Sequence, residues 1–196
     1  MLFREKERRS YQVIECVKLC INHSIKVHRL DPEGARVCFK PGYNVIIGPN
    51  GSGKSTVLKA LALCRMCTIT GSHNDAIKYI TTETLNPRVG GTFASREEMI
   101  QGIRTMFLSH GQAAVDNMLS QTHNNETVVL VDSPETGQDM EGCRQIYRGL
   151  LMMAEKYQVI VATNSLVFMR DGNLIDLGQK SLERLVQATR QLAGNF

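Results

Sequence analysis

The chain has 196 residues, of which 42% are hydrophobic and 21% are charged. This size and composition predict one globular domain, residues 1–196, with a sizeable core, and leave little room for a second full domain. The formal net charge of +4 permits contact with nucleic acid or acidic surfaces but does not demand it.

Neither a membrane segment nor a secretory signal is predicted. The sequence has no run of about 18 apolar residues, which a spanning helix needs. Its first ten residues, MLFREKERRS, lack the apolar run of a signal peptide. We therefore expect a cytoplasmic protein.

The six cysteines are too few to build a disulfide scaffold in a chain of this length. Only Cys64 and Cys67 have the C-x-x-C spacing, and they fall at the end of a predicted helix. A zinc site there would need two more ligands, for which the sequence offers His73 and His110. The sequence favours ordinary buried thiols in a reducing cytoplasm over a metal site.

The N-terminal part of the chain predicts three strands and a helix. YQVIECVKL (11–19) mixes alternating and β-branched residues, and ARVCFK (35–40) follows the turn-forming DPEG. YNVII (43–47) is a short apolar run that ends at a glycine, which is typical of a fully buried strand. Residues 53–66 have helical spacing. The predicted inward face of that helix consists of Val57, Leu58, Leu61 and Ala62.

From residue 43 onward, predicted strands alternate with predicted helices. The later strands are 77–82, 127–131, 158–163 and 173–177, and the later helices are 95–107, 111–121, 140–157 and 181–194. Such alternation favours an α/β fold with a mainly parallel sheet flanked by helices. We expect the early strands to form a small antiparallel β part beside it.

A phosphate-binding loop is predicted at GPNGSGKST (48–56), which matches G-x-x-x-x-G-K-[ST] between a strand and a helix. Its glycines allow a tight turn, so backbone N–H groups and a helix N-terminus can surround phosphates. Lys54 would reach the β- and γ-phosphates, and the Ser55 hydroxyl would bind Mg²⁺. The predicted nucleotide-binding residues are Gly48, Pro49, Asn50, Gly51, Ser52, Gly53, Lys54, Ser55 and Thr56. This motif predicts a P-loop NTPase fold that binds ATP and Mg²⁺.

The second half of the predicted site is VVLVDSPE (128–135), an apolar strand that ends at Asp132. A carboxylate delivered by a buried strand beside a phosphate loop holds the magnesium ion through water. Asp132 is therefore the second predicted metal-binding residue, together with Ser55.

Three further segments carry a family resemblance. FLSHGQ (107–112) resembles the LSGGQ signature of ABC-type ATPases, SPETGQD (133–139) their D-loop, and VIVATNSLVFM (159–169) their switch segment. Asp132 follows Gln112 by 20 positions, the length of one helix and a short loop in that family. The resemblance runs from about residue 43 to about residue 177.

The resemblance implies a homodimer in which two nucleotides lie head to tail between the subunits. Ser109, Gly111 and Gln112 of one subunit would contact the nucleotide held by the phosphate loop of the other. ATP would close the pair, and hydrolysis would let it open because the bridging γ-phosphate is lost.

The sequence departs from this family in the hydrolysis machinery. Ser133 occupies the place of the usual catalytic glutamate, Glu135 comes two residues later, and Asn164 replaces the switch histidine. Serine cannot act as a general base at neutral pH. Loss of the catalytic base typically lowers the rate by a factor of about 10²–10⁴. The candidate catalytic residues are Glu135, Ser133 and Asn164. The chain also has no glutamine between Lys54 and Gln101, where the family places its glutamine loop.

Three functions remain open from the sequence. Ser109 follows Lys54 by only 55 positions, which implies a reduced helical subdomain and disfavours a transporter subunit. The first hypothesis is a soluble, slowly hydrolysing ATPase, and the second is a catalytically degenerate, ATP-gated binding module. The third is a DNA-associated ATPase similar to those of recombination and phage defence. The partner, protein or nucleic acid, is open.

The aromatic residue that stacks on adenine is not identified by the sequence. The resemblance places it in the early strands, where Tyr11, His28, Phe39 and Tyr43 are available. Tyr43, just before a buried strand, is expected to pack in the core.

Overall fold

The computed structural model describes residues 13–27, 36–71, 77–81 and 128–194, over which helices and strands are numbered in chain order. The strands are β1 (Ile14–Lys18), β2 (Arg36–Cys38), β3 (Tyr43–Ile47), β4 (Thr68–Gly71), β5 (Ile77–Ile80), β6 (Val128–Asp132), β7 (Gln158–Ala162) and β8 (Asn173–Asp176). The helices are α1 (Ile21–Ser24), α2 (Lys54–Leu63), α3 (Met140–Ala154) and α4 (Ser181–Ala193), with a one-turn 3-10 helix at Leu166–Met169.

Five strands form a parallel sheet in the order β5-β6-β7-β3-β8. The three central strands are mostly apolar, and β3 and β7 are buried along their whole length. Strands covered on both faces need no polar side, which is why these runs do not alternate. The predicted α/β fold with a mainly parallel sheet is confirmed.

The smaller sheet is antiparallel, in the order β2-β1-β4. It confirms the small antiparallel β part, but β4 was not predicted. This strand has only four residues, TITG, and none of them is fully buried. It lacks an apolar pattern because its position is set by pairing with β1, about 50 residues earlier in the chain.

Two apolar clusters cover the two faces of the parallel sheet. Alternate residues of a strand point to opposite faces, so Val45 packs with one cluster and Ile46 with the other. Helix α3 covers the first face and α2 the second. The α3 residues in the core are Cys143, Ile146, Tyr147, Leu150 and Met153, at helical spacing. Val57, Leu58 and Leu61 of α2 are buried as predicted, and Ala62 is half-buried.

Several element boundaries differ from the prediction. The helix predicted over 53–66 ends at Leu63, and the helix predicted over 140–157 ends at Ala154. The short helix α1 and the 3-10 helix were not predicted. The helices predicted over 95–107 and 111–121 lie outside the described residues. Among the residues that the structure describes, no helix is both long and apolar enough to cross a membrane.

The preference for ordinary thiols in a reducing cytoplasm does not hold at Cys16 and Cys38, which form a disulfide. These residues face each other directly in the register of β1 and β2. Directly opposed side chains in an antiparallel pair are close enough to interact, and this pairing is not visible from their spacing in the sequence. Cys143 is a buried thiol of α3, as expected.

The two sheets are joined by the side chain of Gln158, the first residue of β7. Its Oε1 accepts a hydrogen bond from the backbone N–H of Ile14 at 2.8 Å. Its Nε2 donates to the carbonyl oxygens of Ile14 at 2.8 Å and Lys40 at 3.0 Å. Gln158 is only 1% exposed, so these groups have no route to water.

We therefore predict that Gln158→Met lowers the free energy of unfolding by about 1–3 kcal/mol, because a buried backbone N–H loses its acceptor. In a chain of this length that corresponds to about 2–4 °C of melting temperature per kcal/mol. Thermal unfolding followed by circular dichroism measures the change. Gln187→Met on the exposed surface of α4 is the matched control. Equal melting temperatures for the two variants would contradict the role given to Gln158.

Candidate nucleotide-binding site

The phosphate loop begins where β3 ends and leads directly into α2. Gly53, the residue before the helix, has φ +98°, in the left-handed region that favours glycine. A Cβ on Gly53 would lie 2.8 Å from both the carbonyl oxygen of Lys26 and the Cα of Val27. The loop therefore takes its shape partly from the neighbouring segment, and this position accepts no larger residue without movement.

Lys54 is the first residue of α2, and its side chain is directed into the loop. The ammonium group donates to the carbonyl oxygens of Gly48 at 2.8 Å and Pro49 at 3.1 Å. Burial lowers the pKa of Lys54, while the carboxylates of Glu135 and Asp132 act in the opposite direction. The charge is thus held among carbonyl and carboxylate oxygens at the place where the sequence predicts phosphates.

Asp132, the last residue of β6, is surrounded by three hydroxyl donors. Its Oδ1 accepts from Ser55 at 2.9 Å and from Ser133 at 3.1 Å, and its Oδ2 accepts from Tyr79 at 2.9 Å. The two predicted metal-binding residues, Ser55 and Asp132, therefore touch. A hydroxyl and a carboxylate are the oxygen donors that suit Mg²⁺, so the residues present fit this ion.

Tyr79 is the site residue that the sequence reasoning missed. It lies in β5, beside Leu130 of β6 in the parallel register. Burial, followed by the hydrogen bond to Asp132, raises the pKa of Tyr79, so its hydroxyl remains a donor. No local motif marks this residue, because its contact with Asp132 depends on the order of strands in the sheet.

Ser133 has a backbone that only a few non-glycine residues adopt, with φ +53°. Its N–H donates to the carbonyl oxygen of Ala162 at 2.8 Å, which fixes it against the end of β7. Its hydroxyl is directed at Asp132. The structure thus places Ser133 as a supporting donor to the predicted metal-binding carboxylate.

Glu135 lies against the end of β7, at the predicted switch segment. One carboxylate oxygen accepts from the hydroxyl of Thr163 at 2.7 Å, and the other accepts from the backbone N–H of Asn164 at 2.8 Å. Each oxygen of a carboxylate has two lone pairs, so both retain capacity for a further donor. The carboxylate is also close enough to act on the pKa of Lys54.

Asn164 joins the switch segment to the phosphate loop. Its side-chain amide donates to Asn50 Oδ1 at 2.9 Å, and both residues are exposed. They border a cleft of about 400 Å³ between the phosphate loop and α4. This cleft is also lined by Pro49, Met169, Arg184 and Leu185.

Ser52 provides a further indication that the loop suits an anion. Its side chain is 2% exposed, and its hydroxyl has no hydrogen-bond partner among the described residues. A buried hydroxyl without a partner is costly, so a phosphate oxygen would satisfy it. The remaining loop residues Gly51 and Thr56 lie at the exposed tip and in the first turn of α2.

Some predicted site residues lie outside the described part of the chain. These are Ser109, Gly111 and Gln112 of the signature, and Tyr11 and His28 among the aromatic candidates. Tyr43 and Phe39 are both buried. The Tyr43 hydroxyl donates to the carbonyl oxygen of Phe168 at 3.1 Å, which confirms its packing in the core.

Comparisons with known proteins agree with this geometry. A family model described as "AAA domain, putative AbiEii toxin, Type IV TA system" matches residues 43–108, about a third of the chain. A search of curated proteins found no match. Among solved structures, the chain is similar to a nucleotide-free ATP-binding cassette from an ABC transporter. The TM-score is 0.55 and the identity 13%, over 89% of this chain and 96% of the other.

Two further structures are similar. The dimeric, post-hydrolysis ATP-binding cassette MJ0796 bound to ADP and Pi has a TM-score of 0.53 and 20% identity, over 83% of this chain and 94% of its own. A bacterial Atm1-family ABC exporter with ATP bound has a TM-score of 0.53 and 17% identity, over 89% of this chain and 40% of its own. The chain has the fold of the ABC-type P-loop ATPases. At these identities, the ABC-type fold is what the structural likeness establishes.

The steric demand at Gly53 yields a test of the loop. Gly53→Ala and Gly137→Ala both place alanine at a positive φ, which costs about 1–2 kcal/mol. A Cβ meets nothing within 4 Å at Gly137 but collides with backbone atoms at Gly53. We therefore expect Gly53→Ala to lower the free energy of unfolding by ~1–3 kcal/mol more than Gly137→Ala does, as measured by urea unfolding. Equal destabilisation would show that the loop can move away from the segment at Val27.

Proposed function

We propose that the chain binds Mg-ATP at the phosphate loop and hydrolyses it slowly to ADP and phosphate. The observation that carries the proposal is the convergence of Lys54, Asp132 and Glu135 at one edge of the parallel sheet. Lys54 supplies positive charge for phosphates, Asp132 a metal-binding carboxylate, and Glu135 a carboxylate with free lone pairs. The ABC-type fold and the family match to residues 43–108 support the same conclusion.

Phosphate binding follows from the groups around the loop. The Lys54 ammonium exchanges its carbonyl partners for phosphate oxygens, and the Ser52 hydroxyl acquires an acceptor. Backbone N–H groups at the start of α2 add partial positive charge. Ser55 and Asp132 would hold Mg²⁺, whose chemistry at such a site is to neutralise charge on the phosphates.

Glu135 is the best candidate for the general base. Two hydrogen bonds, from Thr163 and from the N–H of Asn164, fix its carboxylate while leaving lone pairs to accept a proton from water. The Ser133 hydroxyl is directed at Asp132, the predicted metal-binding carboxylate. We assign Ser133 to positioning Asp132.

Asn164 supports a slow rate of hydrolysis. Its amide can donate a hydrogen bond to a phosphate oxygen after releasing Asn50, but it carries no charge and transfers no proton. A switch residue that only donates a hydrogen bond stabilises less of the charge that develops during phosphoryl transfer. Firm binding with slow turnover is the expected consequence.

The site is proposed to be completed by a second copy of the chain. Ser109, Gly111 and Gln112 would reach the γ-phosphate held by the partner, as the resemblance implies. One structurally similar cassette is described as dimeric with ADP and Pi bound.

A cytoplasmic location, a single domain over residues 1–196 and the DNA-associated alternative remain predictions.

Three variants test the chemistry. We expect Lys54→Ala to abolish ATP binding, and Glu135→Gln to lower the rate of phosphate release by about 10²–10⁴ while ATP still binds, because an amide accepts no proton at neutral pH. We expect Ser133→Ala to change the rate by less than about tenfold, since only a supporting hydrogen bond is lost. Single-turnover phosphate release and calorimetry with Mg-ATP separate rate from binding.

The outcome also decides between the proposed ATPase and an ATP-gated binding module. If the native chain binds ATP but releases phosphate no faster than Lys54→Ala, the ATP-gated binding module is established. A rate unaffected by Glu135→Gln but lost in Ser133→Ala would contradict the role of Glu135 as the base and would make Ser133 essential for hydrolysis.

Dimerisation is tested with the Glu135→Gln variant, in which ATP is not consumed. Light scattering should show the mass doubling on addition of Mg-ATP and not of Mg-ADP. Ser109→Arg in the same background should keep the mass of one chain, because the added side chain blocks the partner's γ-phosphate. A chain that stays monomeric with saturating ATP would remove the head-to-tail dimer.

A further inference from the structure

A second group of chemically reactive side chains lies away from the nucleotide-binding site. It consists of Cys20, His23, Cys64 and Cys67, whose sulfur and ring nitrogen atoms all lie within 4.8 Å of one another. Cys20 precedes α1 and His23 lies in it, while Cys64 follows α2 and Cys67 precedes β4. We call this set the Cys3His cluster.

Two distances within the Cys3His cluster match the edges of a metal-centred tetrahedron. With Zn–S of about 2.3 Å and Zn–N of about 2.0–2.1 Å, two sulfurs lie ~3.8 Å apart, and a sulfur and a nitrogen ~3.6 Å apart. The Cys20 and Cys64 sulfurs are 3.8 Å apart, and the Cys67 sulfur is 3.6 Å from His23 Nδ1. The Cys20–His23 contact, at 3.2 Å, is shorter than its ideal edge, and all pairs of ligand atoms lie within 4.8 Å.

The backbone explains why the two halves of the cluster meet. The antiparallel pairing of β1 with β4 places Lys18 opposite Thr68, so the residues just beyond each strand end are neighbours. The N–H of Cys20 donates to the Cys67 sulfur at 3.3 Å, so a hydrogen bond also joins the two halves of the cluster. Each half contributes two ligands with two residues between them, the spacing with which short turns chelate zinc.

We propose that Cys20, His23, Cys64 and Cys67 bind one structural zinc ion. Three thiolates and one imidazole form a closed tetrahedral set, which is typical of structural rather than catalytic zinc because no position is left for water. The sulfur-rich set selects a soft or borderline ion over Mg²⁺, which prefers oxygen. The site is therefore independent of the metal position at Ser55 and Asp132.

The local packing gives the zinc ion a structural role. Helix α1 is four residues long and buries none of them, and Ile21 and Ile25 are about 70% exposed. Leu63 and Met66 beside the other two ligands are each 71% exposed. With so little apolar burial, a metal ion supplies the cross-link that a small hydrophobic contact does not.

The zinc ion would also connect to the phosphate loop. The segment from Cys20 to Val27 touches the zinc position at one end, and at the other its backbone lies against Gly53. Cys64 holds the C-terminal end of α2, the helix that begins with Lys54. The ion therefore fixes the segment that borders the start of α2 to the end of the same helix.

The proposal is tested by measuring metal in the full chain, purified with a reductant and zinc, then passed through a desalting column. Elemental mass spectrometry should find one zinc ion per chain in the native protein. The zinc content of Cys64→Ser/Cys67→Ser should be at least fivefold lower. Cys143→Ala, which removes a buried thiol outside the cluster, is the matched control and should keep one zinc per chain.

Two measurements keep the test decisive if the double variant fails to fold. Cobalt(II) added to the zinc-free native chain should give the visible bands of a tetrahedral thiolate complex, with loss of intensity in the single-ligand variant His23→Ala. A strong zinc chelator should lower the melting temperature of the native chain but not of Cys20→Ser.

Three results would overturn the proposal. A fully reduced native chain that retains less than 0.2 zinc per chain, about a fivefold shortfall from the stoichiometry of a four-ligand structural site, would reject it. A Cys20–Cys64 disulfide that persists with the reductant, detected by intact mass and peptide mapping, would assign these sulfurs to redox pairing instead. Iron and inorganic sulfide in place of zinc would make it a cluster site of a different kind.

Discussion

The parallel pairing of β3 with β7 and of β7 with β6 is the constraint on which the candidate site depends. Parallel strands end at the same edge of a sheet, so the phosphate loop after β3, Asp132 at the end of β6 and Thr163 after β7 are brought together. Each strand is mostly apolar and buried, and a shift of one residue would turn its core side chains to the opposite cluster. The hydrophobic register of the core therefore sets the positions of the polar groups.

Those polar groups form two sets of hydrogen bonds, one around the predicted metal-binding carboxylate of Asp132 and one around the predicted catalytic carboxylate of Glu135. Tyr79, Ser55 and Ser133 all donate to Asp132, while Thr163 and Asn164 donate to Glu135. The two carboxylates then favour the charged form of Lys54, whose pKa burial lowers. The site thus holds opposite charges in place before any ligand arrives.

The sequence predicted the parts of the fold that are encoded locally. YNVII, the glycine loop and the apolar face of α2 lie as expected, because burial on both faces and phosphate-loop geometry each leave a contiguous pattern. It did not predict β4, Tyr79 or the Cys16–Cys38 disulfide, which depend on strands that meet only in the folded sheet. The Cys3His cluster shows the same limit. The C-x-x-C half was visible in the sequence at Cys64 and Cys67. As further ligands the sequence offered His73 and His110, which lie outside the described residues. The pairing of β1 with β4 instead brings Cys20 and His23 to the cluster.

The helix that begins with Lys54 is held at both ends by the same short segment. At its start, Gly53 has no room for a Cβ because the backbone of Lys26 and Val27 lies against it. At its end, the sulfur of Cys64 lies 3.8 Å from the sulfur of Cys20, the first residue of that segment. Displacement of the segment would therefore act on the loop conformation as well as on the far end of the helix. Since α1 buries none of its own residues, apolar packing within that helix contributes little to holding the segment. A cross-link at Cys20 and His23 is thus the contact through which the antiparallel sheet can keep the phosphate loop in the shape that its glycines permit.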